Sequence, residues 1–165
     1  MSDVFTNPAV CNTGPLIGLH RAGLAHLPAM LFPKVVIPFE VHRELAVGLQ
    51  KGEAWLSDAL SGCERMTAST TIDPLLATQL DEGEASVIAT AMDLGINTVL
   101  IDEKRGRRVA SLVYGLHVKG TCGLLLEAKL RNLIPSVSDA LRQMLAGGYF
   151  LGRELTQETI RLAGE

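Results

Sequence analysis

An apolar run that stops on an acid is the feature that constrains this chain most. Asn97-Thr98-Val99-Leu100-Ile101-Asp102 is followed by Glu103-Lys104-Arg105-Gly106-Arg107-Arg108-Val109-Ala110. Val99, Leu100 and Ile101 have no polar face, the pattern of a strand covered by helices on both sides. An acid directly after such a strand falls at its C-terminal end, where open α/β sheets gather ligand groups from several crossovers. Asp102 is therefore the first candidate for chemistry. Lys104, Arg105, Arg107 and Arg108 follow at what should be the start of the next helix, which sets phosphate-seeking groups beside a candidate metal ligand.

The rest of the chain alternates in the same way. Ala9 to Asn12 reads as a short buried strand, and Thr13-Gly14-Pro15 turns it into an apolar segment, Leu16 to Leu27. Asn12 then stands at a strand end, where it can serve a site or cap the helix that follows. Lys34 to Ile37 is a second strand, and Pro38 opens a helix to about Leu49 on which Val41, Leu45 and Leu49 recur every four residues. Glu44 borders that stripe; its alternative role is an exposed ion pair. Gly52 to Leu60 suggests a short amphipathic helix, Gly62 to Ile72 a polar connection holding at most one short strand, and Asp73-Pro74 a further helical turn.

Asp81-Glu82-Gly83-Glu84 introduces the clearest helix, with Glu84, Ile88, Ala91 and Gly95 on one line. Asp81 and Glu82 are explained by the helix dipole. Glu84 is not, because it shares the face that Ile88 and Ala91 bury. After Asp102 a helix is expected from about Glu103 to Val113 with Val109 and Leu112 inward, then a strand from Leu116 to Lys119. Gly120-Thr121-Cys122-Gly123 leads into the next helix, with Thr121 at another strand end, as N-cap or as site residue. Val137, Leu141, Met144 and Leu145 form an amphipathic helix, Gly147-Gly148 breaks it, and Glu154 to Ala163 forms another. These C-terminal pieces either cover the core or make an oligomer contact.

Strand and helix alternation predicts an α/β domain with a mainly parallel sheet whose right-handed crossovers bring every helix start to one edge. With 165 residues and no linker or repeat, one domain over residues 1–165 is expected, with the helical segment 136–165 as part of it. A net charge of −3 argues against indiscriminate coating of nucleic acid, and an aromatic content of 4% against repeated base-stacking platforms. Cys11, Cys63 and Cys122 have no paired spacing, which fits reduced thiols, and there is no leader-like segment and no apolar run of about 18 residues. A cytoplasmic protein with no membrane association is expected. The four histidines share no ligand spacing. No serine-histidine-acid motif and no Gly-x-Gly-x-x-Gly after a strand is present, which disfavours acyl transfer and dinucleotide binding.

Glu84 and Asp102, with Glu44 and Asn12, thus converge on one edge as a hard, all-oxygen donor set, suited to Mg²⁺ or Mn²⁺ rather than zinc. Asn12-Thr13-Gly14-Pro15-Leu16-Ile17, Ile37-Pro38 with Val41 and Glu44-Leu45, Leu80-Asp81-Glu82-Gly83-Glu84-Ala85, Leu100-Ile101-Asp102-Glu103 with Arg107-Arg108, and Gly120-Thr121-Cys122-Gly123 follow one another as in PIN-like domains. The chain resembles that superfamily over nearly its whole length, and within it a prokaryotic subgroup described as predicted nucleic-acid-binding proteins.

The resemblance implies a three-layer α/β/α fold around a central, mainly parallel sheet of four to five strands. It also implies a metal-dependent nuclease site of the kind used by VapC-type toxins. Carried over by position, Glu44, Glu84 and Asp102 would hold Mg²⁺ or Mn²⁺, Asn12 would complete the shell and Thr121 would assist by hydrogen bonding. Lys104, Arg105 and Arg108 would hold RNA phosphates. A homodimer and a small antitoxin partner are implied as well. The departure is Asn12, which stands where most active members carry aspartate: an amide oxygen can ligate magnesium but brings no charge. The expected activity is therefore a metal-dependent endoribonuclease acting on single-stranded RNA. The alternatives are a weakened or inactive module that binds nucleic acid or protein, and an enzyme acting on a small phosphorylated substrate at the same edge.

Overall fold

A computed structural model of the chain describes residues 3–50, 57 and 60–165. Five short strands form one sheet: β1 (Ala9–Cys11), β2 (Val35–Ile37), β3 (Glu64–Arg65), β4 (Thr98–Leu100) and β5 (His117–Lys119). Their order is β3-β2-β1-β4-β5 and every neighbouring pair is parallel. The strands of the sheet's middle are fully buried because both faces are covered, and they are apolar but for Thr98: Val10, Val36 and Val99 have no exposed surface.

The helices are α1 (Thr13–Arg21), α2 (Leu27–Leu31), α3 (Phe39–Gln50), α4 (Pro74–Gln79), α5 (Glu82–Leu94), α6 (Lys104–Leu112), α7 (Thr121–Leu130), α8 (Val137–Ala146) and α9 (Arg153–Leu162). Helices α1, α2, α7 and α8 pack among themselves on one side of the sheet, with α9 against α7 and α8. On the other side α5 lies on β1 and β4, between α3 and α6. The result is the expected three-layer α/β/α arrangement. Among the described residues no helix is long and apolar enough to cross a membrane.

Two expectations are corrected in detail, and a third is refined. The apolar segment Leu16 to Leu27 is divided between two helices, because Gly23 at φ 70° ends α1 in a left-handed turn and Leu27 begins α2. Leu112 faces outward at 73% exposure: although three residues after Val109, it follows Gly106 by six and Ala110 by two, which turns it away from the stripe that Gly106, Val109 and Ala110 bury. Leu145 at 56% exposure likewise leaves the inward row of Val137, Leu141 and Met144. The polar connection after Gly62 does hold one strand, β3. The helix expected from Gly52 to Leu60 lies largely outside the described residues.

The topology places the site. From β1 the chain steps to β2 on one side, and from β4 to β5 on the other, so the strand order reverses between β1 and β4. Crevices in open α/β sheets open at such a reversal, beyond the strands' C-terminal ends. Cys11 pairs with Leu100 and Leu100 with Lys119. Asn12, Asp102 and Thr121, one to two residues further along these three strands, are thereby brought to the same edge.

Candidate active site at the strand reversal

Asp102 follows β4 and is half-buried, with its carboxylate taken by three donors. Its Oδ1 accepts the backbone N–H of Thr121 at 2.7 Å, and its Oδ2 accepts the hydroxyls of Thr121 at 2.6 Å and Tyr149 at 2.6 Å. Thr121 is fully buried at the start of α7 and is not the cap of that helix; the N-cap is Gly120. A Cβ on Gly120 would stand 2.8 Å from Asp102 Oδ1 and 2.5 Å from Arg107 Nη1, so only glycine lets the Thr121 N–H come this close.

Asn12 closes β1 and is the N-cap position of α1, yet its side chain makes no capping hydrogen bond. The capping role open to it from sequence is not taken. Its amide is buried, and its Oδ1 faces the start of α5. A Cβ on Gly83 would lie 3.5 Å from Asn12 Oδ1, 3.4 Å from Glu44 Oε2 and 3.5 Å from Asp81 Oδ1. Three oxygens therefore surround a hollow that exists because residue 83 has no side chain. Glu44, exposed on α3, is steered toward it by Thr13, whose hydroxyl donates to Glu44 Oε2 at 2.9 Å. Asp81 caps α5 by accepting the N–H of Glu84 at 2.8 Å.

Glu84, in the first turn of α5, is 5% exposed, and its Oε1 has no hydrogen-bond partner. That oxygen presses on α6, 2.6 Å from where a Cβ on Gly106 would stand. Burial foremost, then the charge of Asp81, pushes its carboxyl above the usual range, while the charge of Arg105 pulls it back. Beside this hollow an acidic cavity of about 440 Å³ is lined by Glu40, Arg43, Glu44, Asp81 and Glu82 among others. Glu40 Oε2 is the second buried carboxylate oxygen without a partner among the described residues.

The basic block divides. Lys104, Arg105 and Arg108 are exposed on α6. Arg107 turns inward, and its Nη1 donates to the carbonyl of Ile101 at 2.8 Å, fastening the end of β4 to the helix after it.

Glu44, Glu84, Asp102, Asn12 and Thr121 thus share one sheet edge. Glu44, Glu84 and Asp102 nevertheless turn toward separate neighbours, and among the described residues no three His, Cys, Asp or Glu side chains lie close enough together to hold a metal ion. In donor chemistry the set suits a hard divalent cation: the oxygens are carboxylate and amide, two of them meet over the Gly83 hollow, and Glu84 Oε1 is unpartnered. The residues that would hold such an ion are Asn12, Glu44, Glu84 and Asp102.

Tyr149 is the site residue that linear reading missed. It lies in the break after α8, 47 positions from Asp102, and crosses α1 where Gly14 and Gly18 leave room. The signal available was a pair of glycines four apart on α1 and a Gly-Gly break before an aromatic, but nothing along the chain joins the two.

A five-stranded parallel sheet with its acids at the strand reversal defines a doubly wound α/β domain. The chain belongs to the PIN-domain family: the family model DUF3368, a PIN domain, matches residues 8–165. PIN domains generally use divalent metals. No curated protein and no solved structure matches the chain.

Proposed function

We propose that this PIN domain is a Mg²⁺- or Mn²⁺-dependent endoribonuclease that cuts single-stranded RNA, working in the cytoplasm as a homodimer and as the toxin partner of a small antitoxin. The observation that carries the reading is the edge at the β1/β4 reversal, where Asn12 Oδ1 and Glu44 Oε2 face one hollow and Glu84 and Asp102 flank it. A hard divalent ion held there would supply positive charge to a scissile phosphodiester and make a nearby water more acidic. The chain's own residues do the rest. Thr121 fixes the orientation of Asp102 through two hydrogen bonds, Thr13 holds Glu44 toward the hollow, and Lys104, Arg105 and Arg108 offer exposed cations to RNA phosphates.

One observation favours the second reading, a module that binds RNA or protein without cutting. Asn12 brings no charge, and three of the four in-plane lone pairs of Asp102 already accept hydrogen bonds, so the site offers a cation less than four carboxylates would. The deciding experiment is incubation of a mixed-sequence single-stranded RNA with the purified chain and Mn²⁺ or Mg²⁺, beside EDTA and Asp102→Asn. Metal-dependent cutting lost in both controls supports the nuclease. No cutting by the parent, with cutting gained in Asn12→Asp, supports the binding module.

A further inference from the structure

Asp102 Oδ2 receives two short hydroxyl hydrogen bonds, from Thr121 and Tyr149, while Oδ1 receives one, from the Thr121 N–H. A carboxylate oxygen has two in-plane lone pairs. Both of those on Oδ2 are used, and one on Oδ1 is left. We propose that Tyr149 is a positioning residue of the acidic site, whose hydroxyl fills Oδ2 so that Oδ1 alone is offered to an incoming divalent cation. This rests on the metal-site reading given above.

The contact is built from three separate parts of the chain. Gly147 and Gly148 end α8, the latter at φ 86°, and turn the chain so that Tyr149 points back over α1. The ring lies in the path a side chain at residue 18 would take: a Cβ on Gly18 would come 2.8 Å from Tyr149 Cε1 and 3.0 Å from Cδ1. A Cβ on Gly14 would stand 3.1 Å from the phenol oxygen. Partners that hold a ligating carboxylate from behind set its orientation, and their loss typically lowers metal affinity by about 10- to 100-fold.

The test is a Mn²⁺ titration of the full chain, following free Mn²⁺ by electron paramagnetic resonance, for the parent, Asp102→Asn, Tyr149→Phe and Gly18→Ala. Thermal melting of each variant is measured in EDTA. Tyr149→Phe keeps the ring and removes only the donor; Gly18→Ala keeps the donor and displaces the ring. Both are expected to bind Mn²⁺ about tenfold more weakly, and a low-field hydroxyl proton resonance of the parent is expected to vanish in Tyr149→Phe and in Asp102→Asn. A lowered melting temperature with unchanged Mn²⁺ affinity would mean that Tyr149 is only structural, which overturns the inference. Tighter binding in Tyr149→Phe would mean that the hydroxyl competes with the cation, which overturns it too. Absence of Mn²⁺ binding by the parent itself overturns the metal-site reading, and this inference with it, so the two failures are distinguishable.

Discussion

The two flanks of the site satisfy their acids in opposite ways. At the β4–α7 side Asp102 is held firmly, with Thr121 and Tyr149 giving three bonds of 2.6–2.7 Å to one carboxylate. At the α3–α5 side Glu84 holds a buried oxygen with no partner and Asn12 and Glu44 face a hollow. A buried polar atom without a partner costs about 1–3 kcal/mol. The first flank is thus ordered in advance and the second is held at a cost that a cation could relieve.

The largest effect is expected where the ordered flank is broken. Gly120→Ala drives a Cβ into Asp102 Oδ1 and Arg107 Nη1, and neither can simply swing away, because Asp102 is held by Thr121 and Tyr149 and Arg107 by the carbonyl of Ile101. Overpacking of this kind costs about 1–3 kcal/mol. Urea unfolding should show that loss, and an unchanged midpoint would mean that the ordered flank is looser than its short bonds imply.

Asn12→Asp tests the other flank by adding a charge to the hollow, and its sign should depend on metal. Asn12 is 7% exposed and its oxygen shares the Gly83 hollow with Glu44, so two carboxylates would repel across less than the sum of 3.5 and 3.4 Å. At that separation and an effective dielectric of about 20 the repulsion is on the order of 2 kcal/mol. The melting temperature should fall in EDTA and rise above the parent's in millimolar Mn²⁺. A fall under both conditions would remove the hollow from the list of cation sites.

How much of this could be read from sequence follows from the physics of each part. Val10, Val36 and Val99 are legible because strands buried on both faces need apolar runs, and the acids after them are legible because parallel topology puts strand ends together. Glu84 could be placed by its phase with Ile88 and Ala91, and it is indeed buried. The break at Gly23 is not marked by hydropathy, because the apolar run continues across it while the helix does not. Leu112 was misplaced because a hydrophobic residue near a buried stripe looks inward until the helix phase is fixed by Gly106 and Ala110. Tyr149 was beyond reach, since its role depends on a contact 47 residues away. The turning of Glu44, Glu84 and Asp102 toward different neighbours depends on side-chain rotamers, which no pattern encodes.

The smallest effect, and the one that sharpens the comparison most directly, belongs to Glu84→Gln. The folded chain pushes the Glu84 carboxyl above its ordinary value, chiefly by burial. A group shifted in this direction favours folding while protonated and loses that contribution as pH rises through its folded value. Whatever fraction of Glu84 is ionised at pH 7 in EDTA buries a charge with one unpartnered oxygen, whereas the variant buries a neutral amide of the same shape at every pH. The variant should be the more stable there, by on the order of 1 kcal/mol. Its advantage should shrink as pH is lowered toward and below the ordinary glutamate range, where the parent takes up a proton and the two side chains become alike. Comparing urea midpoints of parent and variant from pH 7 to pH 4 cancels every other titrating group. An advantage that grew on acidification would mean that Glu84 is stabilised as a carboxylate, and the contrast between a satisfied and an unsatisfied flank would be gone. In Mn²⁺ at pH 7 the order should invert, because the charge that costs stability in the empty site is the one that would hold the cation.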